Sequence, residues 1–333
     1  MNVIPPRRFF HSFPRPKSGE NEDATIERGL AILGAMRTIG LVLAPEIVEW
    51  DLQQITGGRE ELKLLQRRAS FTELSDAELP RHSRLFGPIS LSFDIGSLRE
   101  AGATPVMYIP NGVGSSALSH IGTFCVRGAY HTRYVLRQLQ GLKEISDSPT
   151  ASARWGCPVS PDYKLTLTNT DATDKVVASY DLAASDVKNI LQYLGYNNIP
   201  FAHSVGILTI FMNMFYPTDN KHARDGLGYY RQREWRLIAG DVNFNGRPMG
   251  RPLSGAEISV LETTDPDFWT RQITYDGKAC KRSEFALVYD PVPDWNVFDH
   301  IQSVIVPERA ADTAQTIVAD KPVRVLEKLC PAT

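Results

Sequence analysis

Residues 229–238 read YYRQREWRLI. On an extended strand, residues two apart share a face. Gln232, Glu234 and Arg236 then project one way, and Arg231, Arg233 and Trp235 the other. Two readings are open. In the first, Glu234 pairs with Arg236 or with a neighbouring cation, a common arrangement worth little when exposed. In the second, Gln232 and Glu234 form a Gln-x-Glu pair facing a sugar. The carboxylate would hydrogen-bond a ribose hydroxyl and stabilise an oxocarbenium-like transition state as a glycosidic bond breaks. Tyr230 and Arg236 would then belong to the nucleotide side, the guanidinium groups tending phosphates.

Other residues could complete such a site. In RHSRLFG (81–87), Arg81, His82 and Arg84 gather positive charge beside a glycine. They either complement a helix dipole or form a phosphate-binding corner. In ISLSF (89–93), Ser90 and Ser92 share one strand face. His11, between aromatics in FFHSF, gains interest only in combination. Lys221, His222, Arg224, Arg247 and Arg251 add charge to the 221–251 span, which is either a balanced solvated face or an anion site.

Several chemistries have no sequence support. NGVGSSA (111–117) fits G-x-G-x-x-A, but no acidic residue closes a second strand about twenty residues on, as a dinucleotide fingerprint requires. His120, Cys125 and His131 match no closed zinc spacing, so no metal is expected. No P-loop lysine follows a glycine loop, and no G-x-S-x-G elbow is present.

The elements that must position these residues are legible in outline. RRFFHSF (7–13) reads as a strand. Residues 24–39 carry Ile26, Leu30 and Leu33 at helical spacing, with Asp23 as expected N-cap. The stretch 58–68, with Leu62, Leu64 and Leu65, reads as a short helix. ASFTEL (69–74), ISLSFD (89–94) and ATPVMYIP (103–110) read as strands, and 79–87 as a short helix. Helical period returns in 130–145 and 182–196. Strands are expected at 229–239, 256–262, 284–289 and 301–306, then a helix at 309–319. Strands, inserted helices, then strands again predict an α+β fold with a mixed, largely antiparallel sheet. Residues 1–110 and 201–333 would form one core, with 111–200 an α-rich insertion.

The 333-residue chain is 42% hydrophobic and 22% charged, and a sizeable core is affordable. A formal net charge of −2 gives no overall bias toward nucleic acid or anionic membrane. Four scattered cysteines and an N-terminus rich in proline and arginine lead to an expected cytoplasmic setting. The most apolar stretch, VGILTIFMNMF (205–215), is too short to span a bilayer. Apolar strands near the C-terminus suit a homodimer.

Taken in order, His11-Ser12-Phe13 ahead of a helix, the block FTELSDAELPRHSRLFGPISLSFDIGSLREAGATPVMYI (71–109), YYRQREWRLI and IQSVIVP (301–307) resemble the AbiGi-type abortive-infection proteins of bacteria. The resemblance covers about half of the chain, in two blocks, and 111–200 contributes nothing to it. It departs from the pattern at Gln232, where a glutamate is expected, and after His11. It implies a place in phage defence and a cognate toxin, antitoxin or phage-derived protein as partner. A second, weaker similarity is to ADP-ribosyltransferases, on His11, Ser90-Leu91-Ser92 and Gln232-Arg233-Glu234. That similarity implies a matching fold core and NAD as substrate. His11 would hold a ribose, Ser90 and Ser92 would brace the site, Glu234 would grip the nicotinamide ribose, and Gln232 would orient an acceptor. Two functions therefore follow as expectations: an NAD-using transferase-like effector, or a non-catalytic antitoxin-like component.

Overall fold

A computed structural model describes residues 6–51, 61–109, 121–147, 164–171, 173, 175–193, 207–208, 211–217, 233–239, 243–244, 247–275 and 277–329. The chain divides into two units, 1–125 with 213–333, and 126–212.

The first unit is built on a ten-stranded sheet. Its strands are β1 (Arg7–Phe13), β2 (Val42–Asp51), β3 (Glu61–Ser75), β4 (Ile89–Phe93), β5 (Thr104–Pro105), β10 (Glu234–Ala239), β13 (Gly250–Pro252), β16 (Leu287–Tyr289), β17 (Ile301–Val306) and β18 (Val323–Val325). The order is β13-β16-β2-β3-β1-β4-β17-β18, with β10 between β3 and β5. Within this sheet, among the described residues, only β17–β18 is parallel. Short two-stranded pairs are β6–β9 (Met107–Ile109 with Phe215–Pro217, parallel), β11–β12 (Asn243–Phe244 with Arg247–Pro248) and β14–β15 (Gln272–Tyr275 with Lys278–Lys281). The helices of this unit include α1 (Glu22–Ile39), α2 (Leu79–Phe86), α3 (Ile95–Glu100), α6 (Gly255–Thr264), α7 (Pro266–Trp269), α8 (Arg282–Phe285), α9 (Val297–His300) and α10 (Ala311–Val318). The protein is thus α+β with a mixed, mostly antiparallel sheet.

The second unit holds most of α4 (Ile121–Asp147), the hairpin β7–β8 (Lys164–Thr170 with Val176–Ala183) and α5 (Ala184–Tyr193). The region expected to be α-rich therefore carries a β-hairpin, and the helix expected from 182 starts at Ala184. Among the described residues no helix is long and apolar enough to cross a membrane.

Helix α1 seals one face of the sheet. Ile26, Leu33 and Met36 pack with Phe9, Phe71, Leu91, Phe93, Leu237 and Val304. Asn21, not Asp23, caps it, accepting the Ala24 N–H at 2.8 Å. Asp23 already lies inside the first turn, where its charge favours the helix dipole. On the other face Phe10, Leu74, Leu79 and Ile305 form a smaller cluster under α2.

Two expectations fail for definite reasons. Residues 61–68 are strand, not helix, because pairing with β2 overrides the helical appearance of three leucines. Residues 256–262 are helix, not strand. The start signal is Ser254-x-x-Glu257, a capping box in which Ser254 Oγ accepts the Glu257 N–H while Glu257 Oε2 accepts the Ser254 N–H at 2.7 Å. Strand β2 has no counterpart in the sequence reading.

Candidate functional site

Strand β3 positions everything around Glu234. It runs antiparallel to β10 through 67–72, with Glu234 opposite Thr72 and Arg236 opposite Ser70. On its other edge it carries β2 through 61–68 and β1 through 72–75. The two neighbours fork apart around Ser70. Phe71, Trp235 and Leu237 face the core. By the pleat, Gln66, Arg68, Ser70, Glu234 and Arg236 face the opposite side.

That polar face is densely bonded. Glu234 Oε1 accepts from Ser70 Oγ at 2.7 Å and from Arg236 Nε at 2.9 Å. Glu234 Oε2 accepts from the Tyr108 hydroxyl at 2.6 Å. The Arg236 side chain is 1% exposed. Its Nη1 also donates to Gln66 Oε1 at 3.2 Å and to the Asn213 carbonyl at 3.3 Å. The guanidinium groups of Arg236 and Arg68 both lie over the Tyr216 ring, 5.0 and 5.1 Å from its centre. Arg68 is held in turn by Gln66 and Glu46.

The electrostatics follow. Burial alone would raise the Glu234 pKa, but Arg236, Tyr108, Arg68 and Ser70 outweigh it and hold the carboxyl at about 2. Burial, followed by the Glu234 charge, pushes the Tyr108 phenol up, so it stays a donor. The centre is a buried ion pair with a phenol, a hydroxyl and an amide completing its hydrogen bonds.

His11 fills the fork. Its Nδ1 lies 2.8 Å from the Ser70 carbonyl. A carbonyl only accepts, so Nδ1 donates and Nε2 carries the lone pair of the neutral ring. Burial lowers the His11 pKa, partly offset by this bond. The ring sits 5.5 Å from Phe71 and 5.4 Å from Phe13, on the core side. His11 and Glu234 therefore approach Ser70 from opposite faces of the sheet.

The expected site residues do not gather in one cleft. Ser90 is fully buried and shares a 2.8 Å hydrogen bond with Ser12. Ser92 is fully buried and its hydroxyl has no partner among the described residues, nor does that of Ser303 directly across the ladder. Neither serine is open to a nucleotide. Arg81 is exposed on α2. His82 stacks on Phe86, and burial, Arg15 and His11 lower its pKa to about 4. Arg236 is enclosed in the Glu234 network and does not reach toward a phosphate. Gln232 and Tyr230, with Lys221, His222, Arg224 and Arg231 of the basic span, lie outside the described residues, while Arg233, Arg247 and Arg251 of that span pair with Glu78, Asp290 and Glu257. A cavity of about 380 Å³ opens elsewhere, lined by Arg37, Arg251, Tyr289, Asp290, Asp294 and Trp295.

Among the described residues no three histidine, cysteine, aspartate or glutamate side chains group as metal ligands. Sequence reasoning missed Tyr108, Ser70, Arg68 and Gln66. Their signal was present: Gln66, Arg68, Ser70 and Thr72 are polar at every second position, the mark of a polar strand face. Compared with family models, with curated proteins and with solved structures, the chain gives no match.

Proposed function

We propose that this chain is a component of bacterial anti-phage defence that acts by binding a protein partner, a cognate toxin or a phage-derived protein, and that Glu234 is an internal brace. The ordered AbiGi-type motifs support the defence setting. One observation carries the binding reading: both carboxylate oxygens of Glu234 are engaged by donors of the chain itself, Ser70, Arg236 and Tyr108. A group that stabilises a transition state must present itself where charge develops on the substrate. The test is co-purification of the full chain with the product of an adjacent gene. Stable association that survives Glu234→Gln supports the reading; absence of any association with that product refutes it.

A second reading keeps NAD as substrate. It is favoured by the meeting of His11 and Glu234 at one residue, Ser70, and by a carboxylate held ionised. In this ADP-ribosyltransferase-like reading the ribose–nicotinamide bond breaks, nicotinamide leaves with the bonding pair, an acceptor nucleophile bonds to the ribose carbon, and Glu234 shifts partners to face the developing oxocarbenium ion. It requires NAD consumption that Glu234→Gln abolishes.

A further inference from the structure

Among the described exposed arginines of the first unit, Arg37 pairs with Asp320, and Arg7 and Arg309 are matched too, while Arg15, Arg81, Arg84, Arg99 and Arg271 have no carboxylate of the described residues in ion-pair range. The less exposed Arg233, Arg247, Arg251 and Arg324 each have a carboxylate oxygen within 2.7 Å. The acids nearest along the chain are already taken: Glu73 by Arg7, Asp76 by Arg324 and Glu78 by Arg233.

Three of the unmatched arginines, Arg15, Arg81 and Arg84, belong to one place. On α2, Leu79 and Ser83 are buried. At 100° per residue, Arg84, Arg81 and Leu85 follow one another around the outward side. Leu85 is 67% exposed. Next around the helix come His82 and Phe86, stacked with ring centres 4.3 Å apart. Arg15 lies over the same Phe86 ring at 4.9 Å. The helix is fixed from below by Leu79 against Phe10 and Leu74. Its end is fixed by Gly87, whose φ of 134° lets the chain pass against the Phe13 and Pro14 backbone.

We propose that Arg15, Arg81, Arg84 and Leu85 form the docking surface for an acidic protein, and this rests on the partner-binding function above. Charge complementarity argues for an acidic occupant. The leucine amid the arginines argues for a protein over a nucleic acid. A phosphate backbone is held by charge alone, whereas protein interfaces enrich arginine and bury apolar side chains at their centre. The stack on Phe86 pre-orders Arg15 and lowers the entropy cost of docking.

The experiment uses the full chain, Arg81→Glu/Arg84→Glu, Leu85→Ala, and Arg271→Glu as a control on another exposed arginine. Each is titrated with labelled poly-L-glutamate and with labelled single-stranded RNA at about 50 and about 200 mM salt. Each is also assayed for co-purification with the adjacent gene product. The expected result is salt-sensitive poly-glutamate binding that the double reversal weakens about tenfold or more, with Arg271→Glu unchanged. Leu85→Ala should weaken the gene product but not poly-glutamate. Equal poly-glutamate binding by wild type and double reversal overturns the surface, as does tighter binding of RNA than of poly-glutamate. If the gene product binds both proteins alike, the surface is wrong and the partner function stands. If it binds neither while poly-glutamate distinguishes them, the surface stands and its assignment to that partner falls.

Discussion

Ser70 joins His11 to Glu234: its carbonyl accepts from the imidazole Nδ1 and its hydroxyl donates to the carboxylate. The two side chains stand on opposite faces of the sheet, so they meet through a residue and not across a cleft. The join lies where β1 and β2 part along β3, at a carbonyl left without a strand partner.

Glu234→Gln should destabilise the protein by about 3–5 kcal/mol, because Arg236 stays buried without a countercharge. Glu234→Gln with Arg236→Met should recover much of that loss, since a neutral amide beside an apolar side chain leaves no charge to solvate. Urea unfolding of the single and double variants measures both. A Glu234→Gln protein as stable as wild type would count against a buried ion pair.

Acid should lower the stability of the protein in two pH windows. The His82 pKa is lowered from 6.5 to about 4 in the fold. A depressed pKa gives stability that is present above 6.5 and lost as pH falls toward 4, because the unfolded chain takes the proton first. The Glu234 pKa is lowered from 4.5 to about 2. Its contribution, roughly 3 kcal/mol, is present above 4.5 and lost as pH falls through 2. Unfolding free energy measured against pH should fall in both windows, and His82→Gln should lessen the fall only in the upper one, where buried His11 also contributes.

Ser92→Ala with Ser303→Ala should be neutral or stabilising by about 1 kcal/mol, because each hydroxyl is buried without a partner among the described residues. Thermal unfolding checks it. A large loss of stability would mean that the two hydroxyls bond each other or a trapped water.

Gly87→Ala should cost more than about 2 kcal/mol. Its φ is 134°, and an added Cβ would lie 2.3 Å from the Phe13 carbonyl carbon. Both atoms are backbone-fixed, so the clash moves the start of α2's neighbouring strand or the turn at Pro14. Denaturant midpoints compare the two proteins.

How much of this was readable in advance depended on whether a signal was local. RRFFHSF and ISLSF alternate or carry aromatics, and they are the strands β1 and β4. The paired Glu234–Arg236 arrangement was one of two readings of YYRQREWRLI, because an i, i+2 spacing on a strand fixes a shared face. What sat opposite that face was not readable. Tyr108 is 126 residues away and Ser70 164 residues away in the chain, and only the strand order brings them in. The same holds for β3. Three leucines suggest a helix until β2, itself unrecognised, supplies the ladder that makes them strand. Ser90 and Ser92 share one face, but Phe10 and Ile305 flank them there in the cluster with Leu79 of α2, and no single-strand pattern reports what lies above it.

The most direct test of the brace reading is NAD turnover by the full chain, with the adjacent gene product present, compared with the Glu234→Gln/Arg236→Met protein once that protein is shown to fold. The account predicts the same background rate from both, while each still holds its partner. NAD consumption by wild type that the folded double variant lacks would contradict it and return Glu234 to chemistry.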